Sequence, residues 1–480
     1  MTSRATNRPR SAAIDPKLRR RIVALVFVMF WMLIFEGSIR KWVAPQWSSY
    51  LYFLRDPLAL VIYWIALRAK VFTPAQPLLV IGGVLAFLAM SVSAIHLLEG
   101  GTQYNPILAL YGFRNYFFYL PMPFVIYRVF DYSELCRFAR HSIIALAIAA
   151  PIAVLQFEAP PGSVLNVGSA DETEYQFSNL ASGNGRVRPA GTFTSVMGMT
   201  QLTVGTLALL LWCATTGQKE RPSPRWLVVI GYAAVAVALA VSGSRTAFLQ
   251  AALVMAAATA MGLLRTAKTG RIGVVLTPLL LVACFAALFP TIFPEAYSTF
   301  MERWSDAAAT EAQHFQYGWI GRALYSFYDF SRLLGQMPLF GYGVGMAGNG
   351  AVNMGVMING ESVLKLAEED WSRHVIELGP VLAVFFIAYR VSFALWLGLR
   401  ALRASVRSGE MLAVLLYAYV AVALTEGQLT GHGLVNGFGW IFVGVCMAAS
   451  NPRAWTLRKT SATGSEKLES YQPRFPNLMT

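Results

Sequence analysis

The chain has 480 residues, 56% of them apolar and only 13% charged, with a formal net charge of +14. A soluble domain carries about 25% charged residues, so this composition excludes an ordinary soluble enzyme and a disordered chain. A mean hydropathy of +0.50 over the whole length reads instead as an all-α, polytopic membrane protein, because about 20 apolar residues cross a bilayer as one helix.

The chain opens on a basic segment, residues 1–21, carrying Arg4, Arg8, Arg10, Lys17, Arg19, Arg20 and Arg21. It runs straight into an apolar stretch with no small-x-small cleavage site, which reads as an uncleaved anchor. Twelve apolar segments follow, at about 22–39, 50–67, 77–98, 107–130, 139–157, 192–214, 226–242, 245–264, 272–292, 374–398, 411–427 and 434–449. Their length and continuous apolar character predict transmembrane helices rather than barrel strands. The organisation is then nine spans in 22–292, one large outer loop at 293–373, three further spans in 374–450 and a polar tail at 451–480. A second outer loop covers about 158–191 and is rich in Gly, Ser and acids. In the large loop, Phe315, Trp319, Tyr325 and Tyr328 recur at helical spacing, which predicts amphipathic helices on the outer membrane surface.

Charge orients the threading. With the N-terminus inside, 27 of the 39 Lys and Arg residues fall on inner loops and inner helix ends. Positive charge gathers on the cytoplasmic side of membrane proteins, so both termini are expected in the cytoplasm. The same asymmetry accounts for the high net charge without nucleic acid. Cys136, Cys213, Cys284 and Cys446 show no paired or Cys/His spacing, so neither disulfides nor a zinc site are indicated. There is no HExxH, DxD, phosphate-binding loop or GxSxG. The acidic runs at 171–174 and 368–370 read as solvated loop charge, and no cofactor or metal is expected.

The informative residues are arginines on the outer side. Arg55 begins the second span beside Asp56, Arg114 lies inside the fourth, Arg186 and Arg188 precede the sixth, and Arg245 sits in a tight SGSR turn. Topology does not need them there, and charge at membrane depth needs a partner or a cavity. A guanidinium fork grips phosphate at two points, so the group suggests an anionic, lipid-linked phosphate. An interfacial anchor or salt bridge is the competing reading for each one. His374 opens the tenth span directly after the large loop, one helical turn before Glu377. An imidazole there suits a general base that Glu377 could orient; a helix-end histidine bonded to loop backbone is the alternative.

Taken together, YGFRNYFF, RVRPAGTFTS, SGSRTAFL, PLFGYGVG and SRHVIELG resemble motifs of the O-antigen ligase and Wzy-type polysaccharide polymerase superfamily, in order and on the matching membrane side. The resemblance covers roughly residues 80–450. It implies a metal-independent, inverting membrane glycosyltransferase of GT-C-like helical architecture. Such an enzyme takes a glycan from undecaprenyl diphosphate and passes it to an acceptor at the periplasmic face. It implies that Arg245, Arg114 and Arg188, with Arg186 and Arg55 nearby, hold the diphosphate, and that His374 deprotonates the acceptor hydroxyl. The acceptor is another lipid-linked glycan for a polymerase or lipid A core for a ligase; the lack of an extended basic outer patch favours the polymerase. Membrane lipids and a chain-length regulator are further expected partners. A secondary transporter or flippase for an anionic or lipid-linked substrate is the alternative function.

Overall fold

The computed structural model describes residues 14–73, 76–99, 103–167, 185–216, 221–269, 273–315, 318–358, 361–362, 369–452 and 455. The first thirteen residues, the acidic run at 171–174, Glu368 and nearly all of the tail lie outside the described residues. The described chain is about 79% helical, its one ladder pairing Met357–Ile358 with Glu361–Ser362. Nine described helices are long and apolar enough to cross a membrane, and two shorter apolar helices accompany them.

Local signals explain most helix ends. Helix α1 (Pro16–Ser38) starts at Asp15, whose carboxylate accepts the Lys17 amide, with Pro16 in the first turn. A π-helical turn, Ile39–Val43, extends it. Helices α2 (Asp56–Arg68) and α3 (Pro77–Glu99) follow. The fourth expected span, 107–130, is not one helix. It divides into α4 (Pro106–Phe113), a π-helical turn over Arg114–Phe118 and α5 (Met122–Val129). Pro121 and Pro123 remove amide donors and crowd the preceding turn, which breaks the ladder there.

Helix α6 (Tyr132–Glu158) opens with a reciprocal capping box between Asp131 and Glu134. Then come α7 (Val196–Thr215), α8 (Arg225–Ser242), α9 (Arg245–Thr269) and α10 (Gly273–Ile292). The large loop supplies α11 (Pro294–His314) and α12 (Trp319–Leu334). The chain closes with α13 (Asp370–Ser408), α14 (Leu412–Thr425) and α15 (Gly433–Ala449).

Burial separates centre from rim. Most of the apolar window of α7 is buried, 89%, against 22% for α3 and 17% for α10. A helix apolar all round belongs inside a bundle or against lipid. Here α7 takes the first place, while α3 and α10 present large exposed residues such as Phe87, Leu98 and Leu280.

Helix ends collect into two opposite faces. On one, Arg19 pairs with Asp131 and Glu134 at 2.9 and 2.6 Å, and Trp212 donates to Glu410. On the other, Lys41 donates to the Gly191 carbonyl at 3.0 Å and Arg186 bridges to Glu295.

Helix α13 departs from the expectation of a simple span. Gly379, at φ 75, interrupts it just before Pro380, and a Cβ at Gly379 would lie 2.1 Å from the Leu339 carbonyl oxygen. The arm Asp370–Leu378 folds back, so that Arg390 reaches Asp370 across twenty residues, at 2.5 Å. Arg390 is therefore a buried residue of the bundle rather than an inner-loop charge. The loop helices also pack on the protein itself. Asp329 of α12 accepts the Ser372 hydroxyl at 2.6 Å, and Phe327 and Phe330 meet the Trp371 ring.

Candidate functional site

The turn between α8 and α9 is built from short polar residues. Ser242 donates to the Leu239 carbonyl and accepts the Ser244 amide, and Ser244 accepts the Ala247 amide. Gly243 takes φ +53, and a Cβ there would lie 2.0 Å from Nη1 of Arg303. Glycine suits the left-handed backbone here, and its lack of a side chain leaves room for the tip of the Arg303 side chain. Arg245 is thereby the first residue of α9, at the positive end of a helix dipole.

Helix α11 lies over this turn. Its buried residues, Ala296, Thr299, Arg303 and Glu311, form one stripe. Glu311 receives both Nη atoms of Arg245, at 2.7 and 3.1 Å. Arg303 is 3% exposed and donates Nη2 to the Arg186 carbonyl, holding the RVR segment against the bundle. Arg188 stands beside both. Its buried Nε has no hydrogen-bond partner among the described residues. Burial, then the neighbouring positive charge of Arg245, lowers its pKa. Burial, then Arg188, lowers Arg303 to about 10. These guanidinium groups remain charged at neutral pH and repel one another, so an anion between them would be stabilised by the set.

The structure thus brings Arg188 and Arg245 together, and adds Arg303 and Glu311, which the sequence reading did not single out. Their signal was present as two charged residues eight apart, hence on one face of α11. Arg186 lies at the margin, paired with Glu158 at 3.4 Å and with Glu295.

Arg55 and Arg114 belong to a different group. Arg55, 1% exposed, pairs with Glu36 at 2.6 Å. Arg114, 4% exposed, pairs with Asp56 at 2.7 Å and stacks over Tyr52. Tyr119 also donates to Asp56. Both arginines are tied to carboxylates inside the bundle, Glu36 and Asp56, whereas Arg245 is tied to Glu311.

His374 also lies inside the bundle. It is fully enclosed, at 0% exposure. Nε2 lies 2.6 Å from Nη1 of Arg390 and Nδ1 lies 2.8 Å from the Tyr116 hydroxyl. Guanidinium only donates, so Nε2 accepts, Nδ1 carries the proton and the phenol oxygen receives it. Neither nitrogen is open to an acceptor hydroxyl in this arrangement. Glu377 reaches the ring only through Tyr116, whose hydroxyl is its side-chain hydrogen-bond partner. It accepts the Ala347 amide at 2.8 Å, and its carbonyl accepts Gly343. Asp370, expected as solvated loop charge, is instead the buried hub that holds Arg390, Arg373 and Thr430.

The PLFGYGVG motif has a packing explanation. Its backbone docks on residues 376–379, and a Cβ at Gly345 would lie 2.1 Å from the Leu108 carbonyl oxygen. Tyr104 donates to the Val344 carbonyl at 3.0 Å, and burial pushes its hydroxyl up to about 12. Among the described residues, no three His, Cys, Asp or Glu side chains converge into a metal-ligating group.

Protein-family models give no match to this chain, and a search of curated proteins finds none that matches.

Proposed function

We propose that the chain is a membrane glycosyltransferase that moves a glycan from a polyprenyl diphosphate, undecaprenyl diphosphate in a bacterium, to an acceptor at the periplasmic face. The observation that carries this reading is the group of Arg188, Arg245 and Arg303 at one end of the bundle, where Glu311 pairs with Arg245 and Glu302 acts on Arg303. The order of motifs that resemble polysaccharide polymerases and O-antigen ligases supports it. In the reaction, the acceptor oxygen attacks the anomeric carbon and its proton passes to solvent water. The bond from that carbon to the diphosphate oxygen breaks with inversion, and its electrons pass to the leaving group. The charge that develops on the diphosphate falls on fixed guanidinium groups, which is electrostatic stabilisation by preorganised donors.

The acceptor is a second lipid-linked glycan or lipid A core. The threading that accompanies this reading has twelve crossings and a periplasmic loop at 293–373, with both termini in the cytoplasm, and the positive-inside asymmetry supports it. With Arg390 inside the bundle, 26 of the 39 basic residues remain on the inner side and 13 do not, so the bias survives.

The test is reconstitution in vesicles with a polyprenyl-diphosphate-linked glycan. Transfer of labelled sugar to a second lipid-linked glycan, or to lipid A core, is the expected result. Uptake of labelled anion or movement of the lipid-linked glycan across the bilayer, with no new glycosidic bond, would show a transporter or flippase instead.

A further inference from the structure

A large cavity lies at the opposite end of the molecule from the Arg245 group. It has a volume of about 720 Å³ and is formed where the starts of α6 and α8 meet the segment 221–224. Arg137, Arg140, Arg221 and Arg225 line it, with Ser133 and Ser223, and none of its described lining residues is acidic. The nearest carboxylates on α6 are engaged elsewhere, since Asp131 and Glu134 pair with Arg19.

Inner-face arginines are expected from topology alone, and that explains their number. It does not explain their convergence on one cavity, nor the unpartnered Nε of Arg221. Ser223 is 3% exposed, and the Cys213 thiol lies within hydrogen-bond reach of its hydroxyl. The buried Nε of Arg221 has no hydrogen-bond partner among the described residues, and neither has the buried hydroxyl of Tyr232, which is outside the lining but within electrostatic reach of Arg221. Buried polar atoms are normally satisfied by protein or an ordered ligand. Arg137 and Arg140 keep only light local contacts. Arg137 lies 4.9 Å over the Phe27 ring, and Arg140 Nε lies 3.4 Å from the Cys136 carbonyl.

We infer that this cavity is a binding site for a phosphate-bearing anion at the inner membrane surface. Its chemistry is that of two or more guanidinium forks and a serine hydroxyl closing on phosphate oxygens. An anionic lipid headgroup and a soluble phosphate compound share that chemistry. The site is independent of the transfer reaction proposed above.

The experiment uses the full-length protein in nanodiscs made of zwitterionic lipid, with either phosphatidylglycerol or cardiolipin added, or with inorganic pyrophosphate in solution. Bound lipid is read by native mass spectrometry and pyrophosphate by equilibrium dialysis. Retention of anionic lipid without binding of pyrophosphate identifies a headgroup site; saturable pyrophosphate binding identifies a soluble ligand. In either case the Arg221→Ala, Arg225→Ala double variant should bind roughly tenfold or more weakly. Arg407→Ala, which removes an exposed arginine placed on the same face and outside the cavity, should bind as the wild type does. Arg137→Ala and Arg140→Ala, at exposed positions, repeat the test if the Arg221 change disturbs folding. Absence of binding by both probes, or an equal loss in Arg407→Ala, overturns the inference, because the arginines would then act only as bulk inner-face charge.

Discussion

Arg245 and Glu311 form a two-point ion pair, at 2.7 and 3.1 Å, that ties the first residue of α9 to the last turn of α11. The pair is half-open, with 34% of the Arg245 side chain exposed against 10% of Glu311. A carboxylate occupying the fork of an arginine is a stand-in for the phosphate that the same fork would grip. In the proposed reaction, Glu311 therefore competes with the donor diphosphate for Arg245.

Removing that competitor should favour the donor. Glu311→Gln keeps the shape of the side chain and weakens its hold on Arg245. Binding of a short-chain polyprenyl diphosphate to purified protein should tighten, by roughly tenfold if one charge-assisted contact is exchanged. Unchanged or weaker binding would mean that Glu311 helps to hold the donor rather than excluding it.

The two arginine groups should separate in one experiment. Arg245→Ala and Arg188→Ala should lose transfer while the protein accumulates and elutes as a single species, since neither side chain is fully buried. Arg245→Lys should restore little, because one ammonium does not copy a two-point grip. Arg55→Ala and Arg114→Ala should instead lose folded protein, because breaking a buried ion pair leaves an uncompensated charge at a cost of about 3–5 kcal/mol. Size-exclusion profiles in detergent distinguish the cases, and stable, inactive Arg114→Ala protein would return Arg114 to the donor site.

His374 should behave as a positioning residue. His374→Ala strips partners from Arg390 and Tyr116, and each buried polar group left unsatisfied costs about 1–3 kcal/mol. A lower thermal midpoint should accompany any loss of transfer. Tyr116→Phe, which removes the acceptor of the Nδ1 proton and the hydroxyl partner of Glu377, should lower the midpoint in the same direction. Inactive His374→Ala protein that melts with the wild type would argue for direct chemistry at the ring.

The threading can be read with an impermeant thiol reagent on intact cells, after Cys284, which is exposed, is changed to Ser. Cysteines at Ser305 and Ala309, exposed on α11, should react from outside. Cysteines at Ser133 and Ser408, exposed at the opposite end, should react only after the cells are opened. External labelling at 133 would reverse the orientation and place the four-arginine cavity outside.

Most of the fold was legible in the sequence, because the bilayer leaves few choices. A long apolar run must close its backbone hydrogen bonds within itself, so run length alone predicts a helix. Hydropathy therefore located the helical segments, and the lysines and arginines between them located two opposite faces. The Pro121 and Pro123 pair and the Gly379-Pro380 step were visible as breakers, but hydropathy averages over them and reads each region as continuous. Only the tertiary structure shows that the second break folds α13 back and carries Arg390 to Asp370. The site was legible in part. Residue type and membrane side singled out Arg188 and Arg245, whose approach follows from two neighbouring loops on one face. They did not reveal Arg303 and Glu311, because a charged residue on an amphipathic helix looks the same whether its stripe faces water or the bundle. The partners of Arg55, Arg114 and His374 were not legible for the converse reason. A lone arginine or histidine at a helix end carries the same chemistry in the sequence whatever it meets, and what it meets is decided by packing between segments far apart in the chain. Glu36 and Asp56 supply the counter-charges for two of them, and Arg390 and Tyr116 close around the third.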